Sequence, residues 1–384
     1  MDSDVVESVV IAVSIHEKAV SRVSLKFIKK YKDMNTQITA DTKLYIGIDI
    51  HKRSWKVHCS TDLFSGKSFS MPPEPLQLKA YVDTHFSGYE VSTAYEAGCC
   101  GYYAHRCFES YGWRSLVVNP ADIHRKGKER YTKTDRIDAQ LISRELKDGR
   151  LSSIHIPDVH REALRSLFRR RNDLVKDFRR IKSYIKMQLL FFGIKVPEQY
   201  DNDHWSHGFR GWLDALLFDY PIAKASLESR MRYFRFIDED LRWVSNQLRA
   251  YCRKHFKNDY YLLKSIPGIG GIVACGILCE LGDLRRFNSV KHLAGYVGLA
   301  PGVHQSGANS KTMGITPRAH RLMRSYFIEA SWQAIRTDPV MQQYYRKHYG
   351  KDTKKIIIKI ARKLLSRTLA VIKTETPYEI GIIE

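Results

Sequence analysis

Apolar residues alternate with small and polar ones over Leu44–His51 (LYIGIDIH), a pattern typical of a central β-strand, with Asp49 near its C-terminal end. The following segments predict a strand meander and then alternating helices and strands. Their bounds are strands at Lys56–Thr61 and Lys67–Met71, joined across Asp62–Gly66, a helix at Leu76–Phe86, a strand at Glu90–Glu96, a helix at Gly101–Tyr111, a strand at Arg114–Val118 and a helix from about Ala121 through Leu146. The pattern therefore predicts an α/β domain.

Three strands followed by helix, strand, helix, strand and helix is the order of a ribonuclease H-like (RuvC-like) domain. Within it, Asp49 and Glu96 lie on two apolar strands, and Asp135 and Asp138 lie three apart on one helical face. Hard divalent ions such as Mg²⁺ prefer carboxylates, and two such ions can clamp the attacking and leaving oxygens of an in-line displacement. The four acids together predict a metal site for phosphodiester chemistry, although any one alone is more typical of a solvated surface carboxylate.

The middle of the chain predicts two long helices with heptad seams, because two runs of apolar residues step by alternating three and four. The seams are Leu164, Leu167, Leu174, Phe178, Ile181 and Ile185 in the first helix, and Leu227, Met231, Phe234, Leu241, Val244, Leu248 and Tyr251 in the second. Two such helices pack either on each other, as an antiparallel hairpin, or across a dimer interface.

The first of these helices is strongly basic, with ten Lys and Arg against three acids over residues 161–186. That imbalance favours phosphate contact over a solvated face, and the candidate contacts are Arg169, Arg170, Arg179 and Arg180. The whole chain carries 63 Lys and Arg against 41 Asp and Glu, a net charge of +22, which also favours a polyanionic partner.

A glycine-rich turn, Pro267-Gly-Ile-Gly-Gly, joins two apolar helical segments within Leu262–Phe287 and has the pattern of a helix-hairpin-helix. Such a turn lets backbone N–H groups at a helix N-terminus approach a phosphate, so Gly268 and Gly270 are candidate nucleic-acid contacts. A purely structural turn between packed helices is the alternative.

The stretch Tyr296–Gly314 is rich in Gly and small polar residues, which predicts loop or short turns, and a helix with an early arginine cluster is predicted after Pro317. A serine in such a loop becomes a nucleophile when one group takes its proton and another stabilises the transition state. Ser306 is the candidate nucleophile, Ser310 its nearest competitor, and a plain turn the alternative. The helix is expected over Arg318–Arg336, and its cluster is Arg318, Arg321 and Arg324.

The segment Arg346–Lys373 carries ten Lys and Arg against a single acid, interleaved with Ile and Leu. This predicts an amphipathic helix that packs one face and presents Lys354, Lys355 and Lys359 to backbone phosphates. Seven Cys without zinc spacing favour a reduced cytosol and no structural zinc. The expected localisation is cytoplasmic and nucleoid-associated. Neither an apolar run of about 18 residues nor a G-x-x-x-x-G-K-[ST] motif occurs, so no membrane span and no nucleotide-binding loop are predicted.

The motifs IGIDIHK, YEAG, TDRIDA, IPGIGGIVACGIL and YVGLAPGVHQSG together resemble the transposases of the insertion-sequence 110 family, DEDD recombinases guided by a bridge RNA. The resemblance runs from about Tyr45 to Arg336 and departs at Ala319 and His320, where the family shows Gly and Asn. From the patterns above and this resemblance, five regions are expected along the chain. They are a peripheral extension at 1–40, a ribonuclease H-like DEDD domain at 41–158, a helical coiled-coil or dimerisation region at 159–258, a transposase domain with the helix-hairpin-helix and serine loop at 259–345, and a basic C-terminal helix at 346–384.

The resemblance implies a transposase that cleaves and exchanges DNA strands. Asp49, Glu96, Asp135 and Asp138 would bind Mg²⁺, and Ser306 would attack the DNA backbone to form a phosphoserine link. Donor and target DNA would pair with a guide RNA, in a homodimer or homotetramer where the serine of one subunit works beside the carboxylates of another. Two other classes stay open: a Holliday-junction-type structure-specific endonuclease that activates water with the same carboxylates, and a non-catalytic RNA- or DNA-binding protein.

Overall fold

The computed structural model describes residues 42–66, 68–123, 135–202, 204–306, 309–315, 319–348, 350 and 352–381, with the backbone alone at 135–136, 302–306 and 309–313. The predicted extension at 1–40 therefore lies outside the described residues. The chain forms two compact units, Met1–Ile156 and Pro157–Glu384. Their boundary falls two residues before the predicted limit at 158. No helix within the described ranges is long and apolar enough to cross a membrane.

The first unit is built on a five-stranded sheet with the order β3-β2-β1-β4-β5. The strands are β1 (Lys43–Ile50), β2 (Trp55–Thr61), β3 (Phe69–Met71), β4 (Glu90–Glu96) and β5 (Arg114–Val118). The first three pair antiparallel, whereas β4 runs parallel to both β1 and β5. The sheet confirms the predicted α/β class and puts β1 at its centre, although β3 begins at residue 69 and not at the predicted 67.

Side-chain alternation along β1 divides the core of this unit between the two faces of the sheet. Ile46 packs in one cluster with Leu78 and Phe108, which lie on α1 (Pro75–His85) and α2 (Tyr103–Ser110). Tyr45 packs with a second cluster that contains Ile142, from α3 (Asp135–Lys147) on the other face. The central strand is thus covered on both sides, as its apolar sequence requires.

The predicted helix over residues 121–146 is wrong at its start. A short 3-10 turn occupies Pro120–Asp122, where the Asn119 side chain accepts a hydrogen bond from the Ala121 N–H, 3.0 Å away. Because this local bond competes with helix formation, the chain leaves the turn with an extended Ile123. The α-helix proper begins at Asp135, and residues 124–134 lie outside the described part of the chain.

The second unit is organised by two long antiparallel helices, α4 (Val159–Phe191) and α6 (Pro221–His255), with α5 (His207–Ala215) between them in sequence. Contacts run in opposite directions along the pair: His160 bonds Tyr251, Phe178 stacks on Phe234 at 4.9 Å, and Gln188 bonds the carbonyl of Ala223. The two predicted seams therefore face each other within one chain, the hairpin alternative. Coiled-coil geometry and dimerisation of this region stay predictions.

Shorter helices complete one hydrophobic core with this pair. They are α7 (Lys257–Ser265), α8 (Gly271–Gly276) continued by a π-helical turn (Ile277–Leu281), α9 (Val290–Val297), α10 (Arg321–Thr337), α11 (Pro339–Arg346) and α12 (Thr353–Thr374), with 3-10 turns at Glu198–Tyr200 and Leu284–Arg286. The predicted C-terminal helix over Arg346–Lys373 is wrong at its start: Arg346 ends α11, α12 begins at Thr353, and Gly350, with φ +85°, lies between the two helices. The buried face of α12 carries Ile356, Ile360 and Leu364, as its apolar pattern predicts.

The predicted loop over Tyr296–Gly314 is wrong in part. Its first residues end α9, and a two-stranded antiparallel hairpin follows, with β6 (Pro301–Ser306) and β7 (Asn309–Ile315). The next helix begins at Arg321 and not at Arg318, because the His320 side chain accepts the N–H of Met323 as an N-cap. Arg318 and Pro317 lie outside the described residues.

Candidate active site

Asp49 and Glu96 come to adjacent places because their strands are parallel neighbours. The pairing of β1 with β4 sets Ile48 opposite Tyr95, so Asp49 and Glu96 follow at the same edge of the sheet. Glu96 is the last residue of β4, and Asp49 is the penultimate residue of β1. Carboxyl ends of parallel strands are where ligands bind in open α/β sheets, so this edge is the candidate site.

Helix α3 is held against β1 by close backbone contact at Gly47. A Cβ atom at Gly47 would lie 2.1 Å from the carbonyl oxygen of Ala139 and 2.4 Å from the nitrogen of Ser143. The Ser143 hydroxyl donates to the carbonyl of Tyr45 at 3.0 Å and lies 2.7 Å from the Ser60 hydroxyl. These contacts fix α3 across the first two strands, two residues from Asp49.

The third predicted ligand lies beside this contact. Asp138 directly precedes Ala139 on α3 and is buried, with 8% of its surface exposed. Asp135 is the first residue of the same helix, and its side chain lies outside the described part of the structure. On β1, the carboxylate of Asp49 lies 3.0 Å from Nε2 of the exposed His51, a contact that sequence reasoning missed.

The donor set suits a hard cation, since Asp49, Glu96 and Asp138 all offer carboxylate oxygens. Among the side chains that the structure describes, however, no three His, Cys, Asp or Glu groups lie close enough together to hold a metal ion. The strand register thus brings two predicted ligands to one edge and α3 brings the third to the same strand, whereas the carboxylates of Asp49, Glu96 and Asp138 do not converge. These three residues, with Asp135, are the ones that could hold a metal.

The candidate nucleophile lies on the hairpin of the second unit. Ser306 is the last residue of β6 and pairs with Asn309, while Ser310 lies on β7 opposite Gln305; their side chains are not described. The two ends of the hairpin meet at its base. There, His320 N–H donates to the carbonyl of Tyr296, and a Cβ at Gly298 would lie 2.1 Å from Cβ of Ala319.

A buried carboxylate that the sequence analysis did not single out lies next to this base. Glu280, on the π-helical turn, is 2% exposed and accepts from Nε and Nη2 of Arg169 at 2.9 and 3.1 Å. Nε2 of His320 lies 3.1 Å from the same carboxylate. Burial by itself would raise the pKa of Glu280, but these hydrogen bonds and the charges of Arg169 and Arg165 lower that pKa to about 2. The group is therefore ionised at neutral pH.

The predicted phosphate-binding residues of α4 have protein partners of different kinds. Arg169 is paired with buried Glu280, Arg170 with Asp240 at 2.9 Å, and Arg180 with Asp177 at 2.9 Å. Arg169, Arg170 and Arg180 nevertheless keep half or more of their side chains exposed, and Arg179 is exposed as well. An Arg side chain carries five N–H donors, and exposed guanidinium groups such as these can contact phosphate.

The other predicted nucleic-acid contacts are two glycines and several basic residues, and some of them are packed against protein while others are exposed. Gly268 has φ +87°, and a Cβ there would lie 2.1 Å from the carbonyl oxygen of Ala330, so packing against α10 accounts for this glycine. A Cβ at Gly270 would meet nothing within 4 Å. Arg324 reaches the carbonyl of Gly298 at 3.4 Å. Arg321, Lys354 and Lys355 are exposed.

A mixed sheet with acids at two parallel strand ends, and another acid on the helix packed against it, is consistent with a nuclease-like α/β domain. A family model of DEDD transposases, described as "Transposase", matches residues 46–193. A second model, described as "Transposase IS116/IS110/IS902 family", matches residues 260–346. The chain belongs to this family of insertion-sequence transposases.

Curated relatives agree with that assignment. A protein of Moraxella bovis named "Pilin gene-inverting protein" is 28% identical over 365 residues, which span 89% of this chain and 100% of that protein. The "Transposase for insertion sequence element IS1111A" of Coxiella burnetii is 23% identical over 301 residues, 76% of this chain and 78% of that protein. A protein of Sinorhizobium fredii named "Putative transposase y4qE" is 30% identical over 240 residues, which are 62% of this chain but only 57% of that protein.

Proposed function

We propose that this transposase cleaves and exchanges DNA strands with a metal-dependent carboxylate site, formed by Asp49, Glu96, Asp135 and Asp138, and with Ser306 as nucleophile. The observation that carries the proposal is the register of β1 and β4, which sets Asp49 and Glu96 at neighbouring strand ends. The close contact of Gly47 with α3 supports it, because Asp138 then lies against the same strand.

The chemistry follows from the donor set. Bound Mg²⁺ would supply charge to stabilise the pentacovalent phosphoryl group and a site to deprotonate the attacking oxygen. The Ser306 Oγ would attack a backbone phosphorus, and the bond from phosphorus to one deoxyribose oxygen would break. That oxygen leaves as a hydroxyl, while the serine ester conserves the bond for rejoining to another strand. No external energy source is then required.

The proposed substrates are donor and target DNA, with a guide RNA that pairs to both. The net charge of +22 and the exposed basic residues Arg170, Arg179, Arg180, Lys354 and Lys355 support a polyanionic partner. The turn at Gly270, at the start of α8, is the proposed DNA-facing part of the helix-hairpin-helix. Assembly as a homodimer or homotetramer is proposed because exchange requires two half-sites in one complex.

Strand exchange, as opposed to cleavage alone, has one further support. A relative that this chain matches over 89% of its length is named for inverting a pilin gene. Inversion of a DNA segment requires that broken strands be rejoined to new partners. The same chemistry is therefore the proposal for this chain.

The deciding experiment compares Ser306→Ala with Ser310→Ala in a trap for covalent protein–DNA adducts. We expect Ser306→Ala to form no adduct and no recombinant product while it still folds and binds DNA, because a single hydroxyl near the end of a strand contributes little to a core. Ser310→Ala, on the facing strand, should stay largely active. Adducts that persist in Ser306→Ala and vanish in Ser310→Ala would assign the role to Ser310.

The same gel separates the other classes. Free DNA ends without adducts, and undiminished in both serine variants, would favour a Holliday-junction-type nuclease that uses water. Intact DNA with the wild-type protein in Mg²⁺ would favour a non-catalytic binder.

A further inference from the structure

The chain segments that precede and follow the hairpin carrying Ser306 lie close together, and we call this region the base of the hairpin. Its incoming end is Gly298, which follows α9 with φ +84°, and its outgoing end is Ala319 and His320, which lead into α10. A hydrogen bond of 3.1 Å from His320 N–H to the carbonyl of Tyr296 ties the two ends. A Cβ at Gly298 would overlap Ala319, so the ends are in direct contact. His320 therefore lies where the segments before and after the hairpin meet.

His320 is itself held by both ring nitrogens. Nδ1 accepts the N–H of Met323, which caps α10, and this leaves Nε2 as the nitrogen that donates to Glu280. The ring is only partly exposed and lies 6.2 Å from the Tyr296 ring. The orientation of the His320 ring is thus fixed at both nitrogens, by Met323 on one side and by Glu280 on the other.

Glu280 connects this base to the long helix α4. Its carboxylate receives Arg169 in a two-bond fork, and Nε of Arg165 lies 3.4 Å away. Arg165 also donates to the carbonyl of Cys279, one residue earlier on the π-helical turn. A forked Arg–carboxylate pair constrains orientation as well as distance. The chain of contacts therefore runs from Arg169 through Glu280 to His320.

The location of this carboxylate favours a role in geometry in addition to one in stability. Removing one partner of a buried ion pair is destabilising, but an apolar replacement of the whole pair is often neutral or stabilising, so stability alone does not explain why a charged group lies here. π-helical turns occur frequently at functional sites, and Glu280 lies within one. One of the hydrogen bonds that Glu280 accepts comes from Nε2 of His320, the residue at the base of the hairpin.

We propose that Glu280 is a positioning residue for strand cleavage: through His320 it fixes the base of the β6–β7 hairpin and thereby the place of Ser306. The inference rests on the proposed role of Ser306 as nucleophile. A misplacement of about 1 Å can cost about 100-fold in rate, so a loosened base should slow the chemical step without weakening DNA binding.

The test compares Glu280→Gln and His320→Asn with Asp338→Asn. Glutamine keeps the shape of Glu280 but loses its charge, and asparagine can still cap α10 but is too short to reach Glu280. Asp338 is the matched control, since it is also buried, paired with an Arg (Arg367, 2.7 Å) and caps a helix, α11. We expect the rate of adduct formation at saturating DNA to fall about 10- to 100-fold in the first two variants, with unchanged Kd for DNA and near-normal rate in Asp338→Asn.

Two further measurements make the outcome specific. The double variant Glu280→Gln/His320→Asn should be no slower than the slower single variant, because both changes act on the contact between residues 280 and 320. Amide hydrogen exchange should rise over residues 301–315 in both single variants and not in Asp338→Asn. Equal rates in wild type and Glu280→Gln, an equal fall in Asp338→Asn, or unchanged exchange over the hairpin would each overturn the proposal. Amide hydrogen exchange does not depend on which residue is the nucleophile. If adducts persisted in Ser306→Ala, the proposed role of Ser306 would be refuted. The anchoring of the hairpin by Glu280 could still be measured by hydrogen exchange.

Discussion

Gly47 on β1 and Ala139 on α3 touch through their backbones. A Cβ added at Gly47 would lie 2.1 Å from the carbonyl oxygen of Ala139, a separation that real Cβ atoms do not show. Ala139 follows Asp138, and Gly47 precedes Asp49 by two residues. Two of the proposed metal ligands are therefore positioned by a contact that only a glycine at residue 47 allows.

Gly47→Ala should separate α3 from the sheet and disable cleavage. Overpacking of this kind costs about 1–3 kcal/mol, so the first unit should unfold at lower temperature or denaturant concentration. Gly98→Ala is the control for stability, since a Cβ there would meet nothing within 4 Å. Thermal unfolding and the cleavage assay check both expectations, and a Gly47→Ala protein with wild-type stability would show that α3 can move away at little cost.

Neutralising one carboxylate tests the metal site. Asp49→Asn should lower strand cleavage in Mg²⁺ by about 100-fold or more, and Glu96→Gln should behave likewise, since an amide is a poorer ligand for a hard cation. DNA affinity should stay nearly unchanged, because the basic surfaces are untouched. Asp83→Asn, an exposed acid on α1 that pairs with Lys79, is the control and should cleave normally. Wild-type cleavage by Asp49→Asn would remove the carboxylate site from the mechanism.

The first unit was largely predictable because its strands follow the alternation of a sheet with two covered faces. Residues such as Ile46 and Ile48 are buried as the LYIGIDIH pattern indicates, and both Asp49 and Glu96 lie at predicted strand ends. The order in which the strands pair is harder to predict, because the hydrophobic pattern of a strand does not indicate which strand lies beside it. The parallel contact of β1 with β4 is therefore a finding of the structure.

Two features could not be predicted, for physical reasons. The β6–β7 hairpin has a sequence rich in small polar residues, which are typical of loops, so its strand pairing depends on tertiary context. Glu280 lies in an otherwise apolar run, ACGILCEL, and this single acid among apolar residues was the available signal. Its partners Arg169 and His320 are 111 and 40 residues away in sequence. A local sequence pattern does not indicate which side chains will meet over such separations.

The buried Glu280 should make stability depend on acid pH. Its pKa is about 2 in the folded chain against an ordinary value of 4.5, so ionised Glu280 favours the folded state. This contribution, on the order of 3 kcal/mol, is present above about pH 5 and is lost as pH falls towards 2. The difference in unfolding free energy between wild type and Glu280→Gln should therefore shrink across that window. A difference that stays constant from pH 6 to pH 3 would contradict the depressed pKa.

The exposed lysines of α12 should contribute to nucleic-acid affinity without regard to sequence. Ile356, Ile357 and Ile360 are buried, which turns Lys354, Lys355 and Lys359 to solvent on the same two turns. Each phosphate contact contributes about 0.9 to the slope of log affinity against log salt concentration on duplex DNA, so Ala at all three positions should flatten the slope by up to about 3. The matched control carries Arg at the three positions, keeps the charge and should keep the slope. Binding isotherms from 50 to 200 mM salt on two unrelated duplexes give the comparison, and an unchanged slope in the Ala variant would mean that these lysines form a solvated face.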